Sequence, residues 1–159
     1  MQNTMAENDP SHPTKYLDAD RPLYPCTDVE ARYKNRCYQR QTGYALKTQG
    51  DDFARVFEVC GGVEDDFRPA CYQGLGRDAA GHRIQDSVSD AAITNSTGML
   101  CMLGEVDEAR SNCVVGAVEH FIRHYHSDEQ AKTLCGTFET DLRTLCLETA
   151  EDYYESFQT

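Results

Sequence analysis

Hydrophobic and polar positions repeat one phrase along the chain from residue 26 onward. Four segments align on a cysteine: VEARYKNRCY from residue 29, VEDDFRPACY from 63, EVDEARSNCV from 105 and FETDLRTLCL from 138. Four residues before each cysteine stands Tyr33, Phe67, Ala109 or Leu142, and one after it Tyr38, Tyr72, Val114 or Leu147. Three of the four add an apolar residue eight positions before, namely Val29, Val63 and Phe138. Apolar steps of four mark one face of a helix. A base recurs three residues before each cysteine: Lys34, Arg68, Arg110 and Arg143.

An earlier cysteine, at 26, 60, 101 or 135, precedes each segment. In three cases glycine follows it closely: Gly61 and Gly62, Gly104, and Gly136. Glycine just past a helix end accepts a left-handed backbone cheaply, so these cysteines are expected to close shorter helices. DDFARVFEVC places Phe53, Val56, Phe57 and Cys60 on one face, with Asp51 or Asp52 as N-cap. SDEQAKTLC offers Ser127 as N-cap and Gln130 as its capping-box partner. SDAAITNSTGMLC holds β-branched residues and Gly98, which lower its helix propensity. Pro22 and Pro25 leave no helix before Cys26.

The pairs start 34, 41 and 34 residues apart, and a period of about 34 is that of tetratricopeptide-like helix hairpins. The extra residues of the middle interval fall near GRDAAGHRIQDS, where Gly76 and Gly81 suggest a break. The expected fold is all-α: a short solenoid of disulfide-stapled antiparallel hairpins, about three and a half repeats. Residues 1–25 hold four of the five prolines and read as a polar arm or linker, with residues 26–159 as the repeat domain.

Eight cysteines allow about a hundred connectivities. In one arrangement each pair lies within a single helix, its sulfurs about 16 Å apart, and bonds to a neighbouring antiparallel helix. That spacing resembles mitochondrial twin-cysteine hairpins and implies Cys26–Cys71 with Cys37–Cys60. Gly61, Gly62 and Pro69 oppose a continuous helix through the second pair. The preferred arrangement is local: Cys26–Cys37, Cys60–Cys71, Cys101–Cys113 and Cys135–Cys146, each tying one hairpin. With its hairpin layout, its period and CYQGLGRDAAG at 71–81, the chain resembles the cysteine-rich Sel1-like repeat proteins of bacteria. The resemblance implies an interaction scaffold.

Composition narrows the setting. A net charge of −12 opposes a nucleic-acid partner, and no apolar run is long enough for direct membrane insertion. The even, high cysteine count points to an oxidising space: periplasmic or secreted, with the mitochondrial intermembrane space as alternative. The N-terminal stretch has no apolar signal-peptide core, so a mature form, an excised region or another export route is expected.

Catalytic motifs are absent, and the chain reads as a non-enzyme with no expected cofactor. Paired carboxylates such as Asp51 and Asp52, Asp65 and Asp66, or Glu151 and Asp152 suit helix starts. Asn95 heads an N-glycosylation triplet. The sequence EHFIRHYHSDE puts His120 and His124 on one helical face with His126 following, a possible zinc or copper group and the basis of an alternative role in metal binding or delivery. Tyr153, Tyr154 and Phe157 share helical spacing near the C-terminus and could anchor a partner. The expected function is a protein-binding or complex-anchoring scaffold whose partner is another protein, a membrane-associated complex included. The abundant exposed Asp and Glu favour a partner of basic or polar character.

Overall fold

A computed structural model describes residues 17–82 and 88–159. Within them the regular elements are seven helices: Ala31–Thr48 (α1), Phe53–Gly61 (α2), Arg68–Gly81 (α3), Asp90–Cys101 (α4), Asp107–Tyr125 (α5), Glu129–Cys135 (α6) and Thr140–Gln158 (α7). The protein is all-α. The four aligned segments lead into α1, α3, α5 and α7, but Val29, Val63 and Phe138 lie before these helices and Phe67 stands at the N-cap of α3, so the helical face starts later than the apolar steps suggest. The earlier cysteines fall at the ends of α2, α4 and α6.

Each long helix packs on the next, α1 on α3, α3 on α5 and α5 on α7. Arg68 meets Glu108 at the starts of α3 and α5, while Gly81 faces His120 at their ends, so these two run parallel. Lys34–Glu64 and Thr42–Asp78 fix the same sense for α1 and α3. The short helices pack against the long ones, and α4 and α6 also lie side by side.

Local bridges close the α2–α3, α4–α5 and α6–α7 hairpins through Cys60–Cys71, Cys101–Cys113 and Cys135–Cys146, and Cys26–Cys37 ties the non-helical segment before α1 to that helix. Their Cα–Cα distances of 5.4 to 5.6 Å lie in the ordinary range for disulfides. All eight cysteines are buried in a core with Tyr38, Leu75, Val118 and Phe121. Pro69 sits in the first turn of α3, where a missing N–H removes no helical bond.

Several local expectations are corrected. Among the described glycines only Gly50 has positive φ, so the glycines after the paired cysteines do not stop helices in a left-handed conformation. Gly62 and Gly136 remain right-handed, at φ −84° and −63°. The left-handed stop falls instead on His126, at φ 53°, past the end of α5. Gly76 makes no break, since α3 runs through it to Gly81. Asp52 caps α2, its side chain accepting from the Arg55 N–H at 3.1 Å. The capping box at Ser127 does not form. Ser127 accepts from the Glu129 N–H, and Gln130 donates to Thr94 Oγ1 at 2.6 Å and to the Asp90 carbonyl at 2.8 Å. That amide joins α6 to α4.

Of the arm, residues 1–16 lie outside the described residues, as do 83–87 of the long middle interval. Residues 17–25 pack on the helices: Leu17 and Leu23 are buried, and Gln41 donates to the carbonyls of Pro22 and Tyr24. Among the described residues no helix is long and apolar enough to cross a membrane.

Candidate functional site

The α3–α5 crossing makes the site possible. A Cβ on Gly76 would lie 1.8 Å from the Cys113 carbonyl oxygen, and one on Gly116 would lie 1.9 Å from that of Gln73. Each glycine admits the other helix's backbone. Amide side chains continue the joint: Gln39 donates to Gln73 at 3.0 Å, and Gln73 donates to Asn112 at 3.0 Å. Helices α1, α3 and α5 are thus held close with fixed parallel register.

On the open side of this row lies a groove of about 830 Å³. Its floor is α3, presenting Gln73, Gly74, Arg77, Asp78 and Gly81 at steps of three and four, one face of a helix. One wall is α1, with Arg36, Arg40, Gly43 and Lys47. The other is α5, with Gly116, Glu119, His120, Arg123 and His124. Five of the fifteen lysines and arginines and three of the five histidines line it, against three carboxylates. In a chain of net charge −12 this is a marked segregation of cations.

Of the three carboxylates, Asp51 is exposed and Asp78 and Glu119 are partly buried. Asp78 accepts from the Thr42 hydroxyl at 2.6 Å and from Arg77 at 2.9 Å, and its side chain is 18% exposed. Burial pushes its carboxyl up from the ordinary range, with Arg77 and Thr42 opposing. Burial likewise pushes Glu119 up, against Arg123. His120 is lowered to about 4, first by burial, then by the nearby charges of Arg123, His124 and Arg77. Arg36, Arg40 and Arg123 form no ion pair with a carboxylate among the described residues, and all three are exposed.

The histidines separate. His120 and His124 stack with ring centroids 6.2 Å apart, whereas His126 turns to Phe157 at 5.7 Å. Among the described residues no three histidine, cysteine or acidic side chains gather closely enough to hold a metal ion. The three-histidine set expected for zinc or copper is therefore not assembled. Tyr153 and Tyr154 pack half-buried against the core, while Phe157 is 38% exposed. Asn95 lies mid-helix in α4, and the Thr97 hydroxyl of its triplet is buried, donating to the Ile93 carbonyl at 2.8 Å.

The groove itself was not apparent in the sequence. Its helical spacing is visible within each helix, but its charge is seen only once α1, α3 and α5 are set in register. Comparison with protein families, with characterised proteins and with solved structures finds no match to the chain.

Proposed function

We propose that the protein is a non-catalytic scaffold that binds another protein, or anchors a complex, in an oxidising compartment. The observation that supports this reading is a recessed face built jointly by the three long helices α1, α3 and α5. Extended faces of stacked hairpins suit macromolecular partners, because equivalent helix positions lie side by side. The four disulfides favour a space outside the cytoplasm, periplasmic or secreted; the mitochondrial intermembrane space offers similar redox conditions. The resemblance to Sel1-like repeats points the same way, towards interaction.

The test is photo-crosslinking in the source cell. A photoreactive side chain is placed at position 43 in the groove, at 58 on the exposed side of α2, or at 157. A Cβ at Gly43 has ample room, its nearest atom being Asp78 Oδ1 at 4.0 Å. The expected result is a protein adduct of discrete mass from position 43 and none from 58. Adduct from 157 alone moves the binding face to the Tyr153, Tyr154 and Phe157 end. No adduct from either ends the scaffold reading. The metal alternative rests on the shared face of His120 and His124. Stoichiometric zinc or copper retained by the native protein and lost in His120→Gln would put metal binding in its place.

A further inference from the structure

We infer that the groove over α3 binds an extended acidic peptide segment of a partner protein, its carboxylates meeting Arg36 and Arg40 on one wall and Arg77, Arg123 and His124 across the floor and opposite wall. This rests on the scaffold reading and specifies its ligand, reversing at the groove the basic or polar partner that the overall charge favours.

The arrangement of charge selects an extended ligand. Arg36 and Lys47 bound the α1 wall, and eleven residues of helix span about 16 Å. An extended chain rises about 3.3 Å per residue, so about five residues fit along it. A single small anion meets only groups within hydrogen-bond reach, roughly 3 Å, and leaves the remaining cations unmatched.

The surrounding charge limits the ligand at the other end. The chain carries −12 overall while the groove holds five lysines and arginines against three carboxylates, so the negative excess lies elsewhere on the molecule. A long polyanion, such as a nucleic acid or a sulfated glycan, would carry its charge past the groove into that negative excess. A short acidic segment within a partner of mixed charge meets the attraction without the repulsion. The groove also offers unpaired donors. Arg36 and Arg40 form no ion pair in the described structure, and Arg123 feels the Glu119 charge without forming one; arginine recognises carboxylates through paired N–H donors. His120 sits within the same wall, lowered first by burial and then by the charges of Arg123, His124 and Arg77.

The test uses the full oxidised chain and a fluorescein-labelled, glutamate-rich hexapeptide, with binding read by fluorescence anisotropy. Saturable binding is expected at low ionic strength, weakening as salt rises. The double variant Arg36→Glu and Arg40→Glu should bind roughly tenfold more weakly or worse, because like charges then face the ligand. Its helical circular dichroism should match the parent, since both side chains are exposed and unpaired. The His120 imidazole, followed by NMR, should titrate higher with the peptide bound. No saturable binding, or equal binding by the double variant, overturns the inference. So does inorganic phosphate competing as well as the peptide, which would mark a small-anion site. Heparin binding more tightly than the peptide, with the same loss in the variant, would mark a polyanion site and overturn it too. A crosslinked partner at position 43 with no affinity for the acidic peptide would end this inference and leave the scaffold reading in place.

Discussion

At Gly76 one methyl group decides how closely two helices meet. Its Cβ would fall on the Cys113 carbonyl oxygen, a backbone atom that no rotamer change can move aside. Gly76→Ala must push α3 and α5 apart and should cost about 3 kcal/mol or more in urea unfolding. Gly43→Ala is the contrasting case, with no atom nearer than 4.0 Å, and should stabilise α1 by about 0.5–1 kcal/mol. Equal effects from the two would remove the crossing from its central place. His120 makes a second residue-scale prediction. Its folded pKa, about 4, lies below the ordinary 6.5, so the unfolded chain takes up the proton first as pH falls. Stability contributed by neutral His120 is therefore present above pH 6.5 and lost as pH falls towards 4, with the loss no larger than about 3 kcal/mol. Asp78 works in the opposite sense, because its raised pKa favours the folded state at low pH. The clean measure is the difference between the parent and His120→Gln across this window. An unchanged difference would show that His120 is solvated.

The recurring base belongs to the scale of the element. Three residues before the second cysteine, it points back into the turn that joins the two helices. Arg110 donates to the Gly104 carbonyl at 2.6 Å, Arg143 to those of Phe138 and Gly136, and Arg68 to that of Val63. Lys34 differs, pairing with Glu64 of the next hairpin at 2.6 Å. Hydrogen bonds from charged donors contribute about 1.5–3 kcal/mol when shielded, so Arg110→Ala should destabilise by about 1–2 kcal/mol. Arg110→Lys should recover little, since the guanidinium's reach and fork are lost. A neutral Arg110→Ala in urea unfolding would show that the turn is held by Cys101–Cys113 alone. The hairpins were legible in the sequence because their signals are local: four-residue apolar steps, Asp52 before Phe53, and Gly61, Gly62 and Pro69 opposing one continuous helix. Gly104 answers to crowding rather than to a left-handed backbone, since a Cβ there would meet Ala109 Cβ at 2.9 Å within its own hairpin and Phe57 of α2 at 3.3 Å. The Ser127 box misled because Gln130 is drawn to Thr94 on α4. The groove was hidden for the same reason, since its walls are three helices brought together by Gly74, Gly76 and Gly116.

Across the whole molecule, covalent and non-covalent ties divide the work. Every disulfide closes a local loop, with separations of 11 or 12 residues, and none joins one hairpin to the next. Each such loop contributes about 3 kcal/mol by restricting the unfolded chain. The joints between hairpins rest on packing, on the glycine crossing and on the Gln39–Gln73–Asn112 amides. Protection against hydrogen exchange should therefore follow position in the row. Helices α3 and α5 have a long helix on either side, whereas α7 has one only on the α5 side and buries just Cys146 and Ala150. In the oxidised protein the slowest amides should lie in α3 and α5, and those of α7 should exchange markedly faster, because local opening needs less apolar surface exposed. Reduction should then lower the melting temperature strongly, four bridges at about 3 kcal/mol being comparable to the whole stability of a typical domain. The α7 hairpin should lose protection first. Amides in α7 as slow as those in α5, or melting unchanged by strong reductant, would mean that the row unfolds as one block held by its core rather than as stapled hairpins joined at the α3–α5 crossing.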